Sequence, residues 1–305
     1  MHFTLKQLRY FVAAAEVGSI TVASRRVHIS QPAISAAIVQ LETMLNVPLF
    51  IRHHASGLSL TPEGQSFLRE ARSLLTHAHD LELSATGLSG QIVGSVEVGC
   101  MTTLYPFVVP ALRRRFKEKY PQADLKFVAG HHAELVEKLR GGDIVAILCY
   151  DMELPRDVAF EPLSSLPPYI FVAERHPLAH RDAIHLNEII KEPFLLLDLP
   201  SSRDYFMSVF GENGCRPTRI APFPSMDIIR SLVAHGEGYS LANARPRNKA
   251  SYDGSLLSYV AIKDPVPALT YGTAQILNAR ASPRTSAFIQ FCRHLLKDQP
   301  LPGSE

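Results

Sequence analysis

Two sets of side chains in this sequence have types and spacings suited to recognition chemistry. The first is Ser30-Gln31-Pro32-Ala33-Ile34-Ser35-Ala36-Ala37-Ile38, closing on Leu41-Glu42. Glutamine can pair with adenine in a bidentate way, serine reads several base edges, and alanine packs on a thymine methyl. Such residues at the start of a helix suit the DNA major groove, which makes Ser30, Gln31 and Ser35 candidate DNA contacts. The second set is rich in hydroxyls: Met101-Thr102-Thr103, Gly130-His131-His132, Leu199-Pro200-Ser201-Ser202-Arg203 and Ser225-Met226. Each follows an expected strand or precedes an expected helix, where hydroxyls and unsatisfied backbone N–H groups can surround an anion. Thr102, Thr103, His131, Ser201, Ser202, Arg203 and Ser225 are therefore candidate contacts to a small molecule bearing a carboxylate. Tyr150, Tyr169 and Met226 are placed to flank its body. Taken singly, Thr102, Ser202 and Ser225 read equally well as helix caps, and Arg203 as an exposed ion-pair partner.

Catalytic chemistry finds no matching pattern. There is no Gly-x-Ser-x-Gly, His-Glu-x-x-His or glycine-rich phosphate loop. His53-His54 and His131-His132 are adjacent pairs whose side chains diverge, so neither a metal site nor a cofactor is expected, and the chain is not read as an enzyme. The four cysteines, Cys100, Cys149, Cys215 and Cys292, lack zinc spacing or a secreted disulfide framework. Cys215 stands between Gly214 and Arg216, and the arginine would lower its pKa. A thiol redox sensor without a small-molecule ligand therefore stays open as the alternative function.

The elements that must position these residues follow from periodicity. Ser30 is expected to cap a helix through its hydroxyl, and Pro32 sits in the first turn, where no N–H is needed. Ile34, Ala37, Ile38, Leu41 and Leu45 form one apolar stripe. Ahead of it, Leu5, Leu8, Val12 and Ala15 mark a helix ended by Gly18. Ser19 caps a second helix with Ile20, Ala23 and Val27 inward, and His28-Ile29 make the turn. Two helices joined this way, the second entering the groove, form a helix-turn-helix, although bare periodicity also fits a plain helical subdomain. After Thr61, the positions Phe67, Ala71, Leu74, Ala78, Leu81, Ala85 and Leu88 have coiled-coil spacing. They read either as a dimer seam or as a helix lying on its own domain.

From Ile92 onward, short apolar strands alternate with helices, as expected of a doubly wound parallel sheet. Of the 305 residues, 46% are hydrophobic and 20% charged, an ordinary globular composition. Residues 1–60 carry five cations against two carboxylates, a balance of +3 in a chain of net charge +2, and phosphate contacts would add across protomers. No stretch of eighteen apolar residues occurs, and the first residues lack a signal-peptide core. A cytoplasmic protein is expected.

The ordered run Leu8-x-x-Phe11, Glu16-x-Gly18-Ser19, Ser30-Gln31-Pro32-Ala33-x-Ser35, Leu41-Glu42, Leu49-Phe50-x-Arg52 and Leu60-Thr61-x-x-Gly64 resembles the DNA-binding domain of the LysR-type transcriptional regulators. Looser phrases extend the resemblance to about residue 297: Arg115-Phe116-x-x-x-Tyr120-Pro121, Gly142-Asp143, His176-Pro177-Leu178-Ala179, Val233-Ala234-x-Gly236-x-Gly238 and Ser282-Pro283. It implies an N-terminal winged helix-turn-helix, all-α with a small wing, over residues 1–61, with Gln31, Pro32 and Ser35 in the DNA groove, and a linker helix over 62–90 through which protomers dimerise. It also implies an α/β effector domain over 91–305, built as two Rossmann-like lobes of the periplasmic-binding-protein type. Lobe 1 would span about 91–163 and 269–305, lobe 2 about 164–268, with crossovers near 163 and 268.

The function implied is sequence-specific transcriptional regulation, switched by an effector between the lobes, in a homotetramer built as a dimer of dimers. Double-stranded DNA, a small carboxylate and RNA polymerase are the partners to expect. Two departures stand out. The second helix reads Ala23-Ser24-Arg25-Arg26-Val27 where the family usually has Ala-Ala and then Leu. The wing is one residue longer, with Ala55 at the usual site of a second arginine. Arg52 and His53 then become the candidate wing contacts, and a histidine there would make DNA binding sensitive to pH.

Overall fold

The computed structural model describes residues 3–53, 57–85, 92–277, 282–298 and 301, with all of their side chains except those of 79, 80, 83–85, 297 and 298. The chain divides into two compact units. The first holds Met1–Ile92 with the short pieces Glu137–Ile144 and Arg280–Arg284, and the second holds Val93–Val136, Val145–Ala279 and Thr285–Glu305. Among the described residues, no helix is long and apolar enough to cross a membrane.

The first unit runs α1 (Leu5–Val17), α2 (Ile20–Arg26), α3 (Gln31–Leu45), β1 (Phe50–His53), β2 (Gly57–Leu60) and α4 (Pro62–Ala85). Thr4 and Gln7 form a reciprocal capping box at the start of α1. Gly18 ends α1 at φ 62°, a left-handed conformation that suits glycine. Its carbonyl accepts from Leu58 N–H at 2.8 Å, which ties the end of α1 to β2. The buried stripe of α1 is Leu8, Phe11 and Ala14, whereas Leu5 is 45% exposed, so the expected stripe is rotated toward Phe11. The reason is aromatic packing: the Phe11 ring lies 5.3 Å from Phe50 and 5.2 Å from Phe67, centroid to centroid.

In α3 the expected residues Ile34, Ala37, Ile38 and Leu41 are buried, and Leu45 packs against the same core. Ser30 is the N-cap residue, but its hydroxyl makes no capping bond. Pro32 at the second helical position has no N–H to offer, and the Ser30 carbonyl instead accepts from Ala33 and Ile34 N–H at 3.1 and 3.2 Å. On α4, Ala71 is buried in this core with Phe67, Leu68 and Leu75 packed beside it. That part of the expected dimer seam is used within the chain. Leu74 and Leu81 remain 40% and 71% exposed. The side chains of Leu83 and Ala85, and all of Gly87, Leu88 and Gly90, lie outside the described residues.

The rest of the chain builds two lobes. Lobe 1 contains β3 (Gly94–Met101), α5 (Tyr105–Lys119), β4 (Ala123–Gly130), α6 (His132–Arg140), β5 (Ala146–Tyr150) and β6 (Val158–Leu166). Lobe 2 contains β7 (Tyr169–Ala173), β8 (Ala183–Ile184), β9 (Pro193–Leu197), α7 (Ser202–Gly211), β10 (Arg219–Phe223), α8 (Met226–Ala234), β11 (Ser240–Ala242) and β12 (Leu257–Ile262). The chain then returns to lobe 1 as β13 (Leu269–Ile276) and α9 (Pro283–Asp298). A 3-10 turn at Leu186–Glu188 lies between β8 and β9.

Lobe 1 has strand order β4-β3-β5-β13-β6. The first three strands are parallel, but β13 runs antiparallel to both of its neighbours. Lobe 2 has order β11-β7-β12-β8, with β7 antiparallel to β11 and β12, and a bridge from Phe194 to Tyr239 links the parallel β9–β10 pair to it. The sheets are therefore mixed, not wholly parallel, because β7 and β13, each the first strand after a lobe crossover, run against the βαβ core. Pairing of Leu166 with Leu269 carries lobe 1 past residue 163. The chain changes lobes at residues 167–168 and 263–268.

Both crossovers are pinned by one buried side chain. Asn243 Nδ2 donates to Leu166 O at 2.9 Å and to the Tyr205 hydroxyl at 2.7 Å, and that hydroxyl donates to Pro267 O at 2.9 Å.

Candidate functional sites

In the first unit the start of α3 is presented outward. Gln31, Pro32, Ala33, Ala36 and Val39 are exposed, and Ser35 is half-buried. Thr21 Oγ1 on α2 donates to Gln31 Oε1 at 3.2 Å, which steadies the first side chain of the helix. Gln40 is held by Gln7 Nε2 at 3.2 Å. The wing strands pair in antiparallel register, Phe50 with Leu60 and His53 with Gly57. Arg52 is exposed, and His53 Nε2 lies 2.7 Å from Ser59 Oγ. His54 and Ala55 lie outside the described residues. In α2, Arg26 is paired with Glu16 at 2.6 Å, while Arg25 is exposed.

Glu42 fixes the wing to α3. Its Oε1 accepts from Leu49 N–H at 2.8 Å and from Phe50 N–H at 3.0 Å. Glu42→Ala should strip both donors of their acceptor and cost about 1–3 kcal/mol. Glu42→Gln keeps an acceptor oxygen and should cost less. Urea denaturation of the three proteins checks this, and equal midpoints for all of them would show that the carboxylate does not hold the wing.

In the second unit a cavity of about 830 Å³ opens between the lobes. It is lined by Thr102, Thr103, His131, Ser202 and Ser225 from the sequence-derived set, together with Tyr150, Tyr169 and Met226. The hydroxyls differ in availability. Thr102 Oγ1 donates to Gly130 O at 3.2 Å, and Ser225 Oγ caps α8 by accepting from Asp227 N–H at 3.2 Å. Thr103 Oγ1 is buried beside the Tyr150 hydroxyl without completing a hydrogen bond of normal geometry. Ser202 Oγ has no partner among the described residues.

Two residues of the set are committed elsewhere and do not line the cavity. Ser201 Oγ donates to Glu153 Oε2 at 2.6 Å, and Arg203 Nε donates to Asp198 Oδ1 at 2.8 Å. The Arg203 contact holds Asp198 below the usual carboxylate range.

The lining also includes residues that motif spacing did not pick out. Arg230 donates to the Tyr259 hydroxyl at 3.0 Å and to the Asn248 and Ala250 carbonyls at 3.1 Å each, shaping the loop between β11 and β12. Arg247 is exposed on that loop and lines the cavity. The run Arg245-Pro246-Arg247-Asn248-Lys249 is the sequence signal that could have drawn attention there. Asp227 contributes one carboxylate to the lining. Burial pushes the Tyr205 hydroxyl up to about 12, opposed by its hydrogen bond with Asn243.

The thiols are not activated. Burial raises Cys149 to about 12 and also lifts Cys100 and Cys292. Cys215, expected to be lowered by Arg216, is instead raised by burial and by the nearby Asp264 carboxylate. Among the described residues, no group of three or more His, Cys, Asp or Glu side chains is placed to hold a metal ion.

The chain matches two family descriptions: "Bacterial regulatory helix-turn-helix protein, lysR family" over residues 5–65 and "LysR substrate binding domain" over residues 89–297. It is 30% identical to the HTH-type transcriptional regulator YybE of Bacillus subtilis over 287 residues, which cover 94% of this chain and 97% of that protein. Among solved structures it is similar to HinK, a LysR family transcriptional regulator from Pseudomonas aeruginosa, with 34% identity and TM-score 0.65 over 97% of this chain and 99% of the other. A variant of full-length OxyR from the same organism has TM-score 0.79 and 27% identity, each chain covered in full.

Proposed function

Since the chain belongs to the LysR-type transcriptional regulators, we propose that it reads its DNA site with Ser30, Gln31, Pro32 and Ser35. In this reading Arg52 and His53 contact the duplex from the wing, and the cavity between the lobes of the second unit takes an anionic small-molecule effector. The observation that carries the DNA assignment is the outward face of α3: small and amide side chains stand exposed on a helix whose opposite face is fully buried. Thr102, Thr103, His131, Ser202 and Ser225 are assigned to the effector, and its anionic character is supported by two arginines against one aspartate in the lining. We place the protein in the cytoplasm as a homotetramer, a dimer of dimers, with RNA polymerase as a further partner. Its role is regulatory, not catalytic.

Regulation then requires an effector that binds one arrangement of the protomers better than another, because equal affinity shifts nothing.

The test uses DNA selected by the wild-type protein from a random-sequence pool. Gln31→Ala should lose about 1–3 kcal/mol on the selected site and little on random DNA. Arg52→Ala should weaken both and flatten the salt dependence. Equal losses for Gln31→Ala on both DNAs in a mobility-shift assay would remove it from the reading face.

A further inference from the structure

We propose that the effector is a planar aromatic monocarboxylate and that Arg247, not Arg203, is the counter-ion of its acid group. The proposal rests on the reading that the cavity is the effector site. An acid entering a protein cavity must exchange its hydration for donors and opposite charge, or its burial is prohibitive. Of the arginines brought forward by sequence and structure, Arg203 is bound to Asp198 and lies outside the lining. Arg230 lines the cavity, but its guanidinium is spent on Tyr259, Asn248 and Ala250. Arg247 lines the cavity with no hydrogen-bond or ion-pair partner among the described residues. It stands on the loop that Arg230 fastens through the Asn248 and Ala250 carbonyls.

The rest of the lining defines the body of the ligand. Phe107, Tyr150, Phe171, Tyr205, Phe206 and Tyr252 supply rings from both lobes. Rings favour a flat π system by offset stacking and edge contacts. Thr103 Oγ1 is a second pointer, since a buried hydroxyl that forms no hydrogen bond of normal geometry, even beside the Tyr150 hydroxyl, gains from a bound molecule that supplies one. Asp227 is the lining's uncompensated carboxylate and acts against a second acid group. A single carboxylate facing Arg247, with a ring hydroxyl toward Thr103 and Ser202, answers these groups together.

The experiment is calorimetric titration of the full chain with benzoate, 4-hydroxybenzoate and 2-naphthoate. Benzamide is the neutral match, and cyclohexanecarboxylate the non-planar match. At least one aromatic acid should bind the wild type, at least tenfold more tightly than both matches. Arg247→Gln should weaken that acid tenfold or more, Arg247→Lys should recover part of the loss, and Arg203→Gln should stay within twofold. Unliganded melting temperatures should be equal throughout, because neither arginine supports the core.

The proposal falls if none of the aromatic acids binds, if cyclohexanecarboxylate binds as tightly as benzoate, or if Arg247→Gln binds within twofold of wild type. If Thr103→Val with Ser202→Ala abolishes binding while Arg247→Gln does not, the cavity remains the effector site and only this proposal fails. If an acid binds and neither change weakens it, the cavity assignment fails as well.

Discussion

Leu81→Asp should reduce the protein to smaller species and remove most of its affinity for DNA. Leu81 is an apolar side chain left 71% exposed on a helix of 24 residues, with Leu74 two turns before it also exposed. In an isolated protomer such a surface change should alter stability by no more than about 0.5 kcal/mol. Packed against an apolar partner helix, each new carboxylate would be buried unpaired, at a cost of about 3–5 kcal/mol. A symmetric pair suffers that cost twice, more than most helix pairs can absorb. The expected signature is thus an unchanged thermal transition with a lower mass in light scattering, and weak binding to the selected site. If the variant keeps the wild-type mass and affinity, this face of α4 points to solvent and the protomers meet elsewhere.

The second large effect concerns the cavity hydroxyls. Thr103→Val with Ser202→Ala should leave the unliganded protein as stable as wild type or slightly more so. The change removes a buried oxygen that forms no hydrogen bond of normal geometry, which is neutral to favourable. Effector affinity should move the other way, because each hydrogen bond lost to a neutral group of the ligand contributes about 0.5–1.5 kcal/mol. Ligand-induced gain in melting temperature follows mass action, so it should shrink sharply in the double variant. This opposite sign separates a contact role from a merely structural one. Equal loss of unliganded stability and of the ligand shift would assign both hydroxyls to the scaffold. Thr102 is the less informative target, because its hydroxyl already donates to Gly130 O.

The legibility of the sequence differs between the two units. The helices of the first unit were readable because amphipathic spacing and local caps act within a few residues: Gly18 ends α1, and Ser19 accepts from Val22 N–H. What spacing could not show was the pull of long-range aromatic packing, which rotated α1 toward Phe11. In the second unit β3, β5, β7 and β9 stood out as apolar runs.

The strands β6 and β13 did not stand out. Pro162 and two serines interrupt the apolar pattern of β6, and the sheet tolerates the proline because β6 is an edge strand. Gly272 breaks the run in β13 at a register shift, where any side chain would collide with Glu161 O. The cavity hydroxyls were legible from their place at strand ends. Arg247 was not, since a loop arginine acquires its meaning only from the neighbours that leave it unpaired.

The Asn243 contacts to Leu166 and Tyr205, and through Tyr205 to Pro267, have a mechanical consequence. Two strands crossing side by side would otherwise allow the lobes to twist, slide and rock independently. A side chain bonded just ahead of one crossing, at Leu166, and, through a tyrosine, near the end of the other, at Pro267, behaves as an axle bearing. It suppresses sliding and twisting, and leaves rocking about a line through both crossings as the soft motion. Tyr205 is also part of the cavity wall, so the bearing and the cavity share one ring.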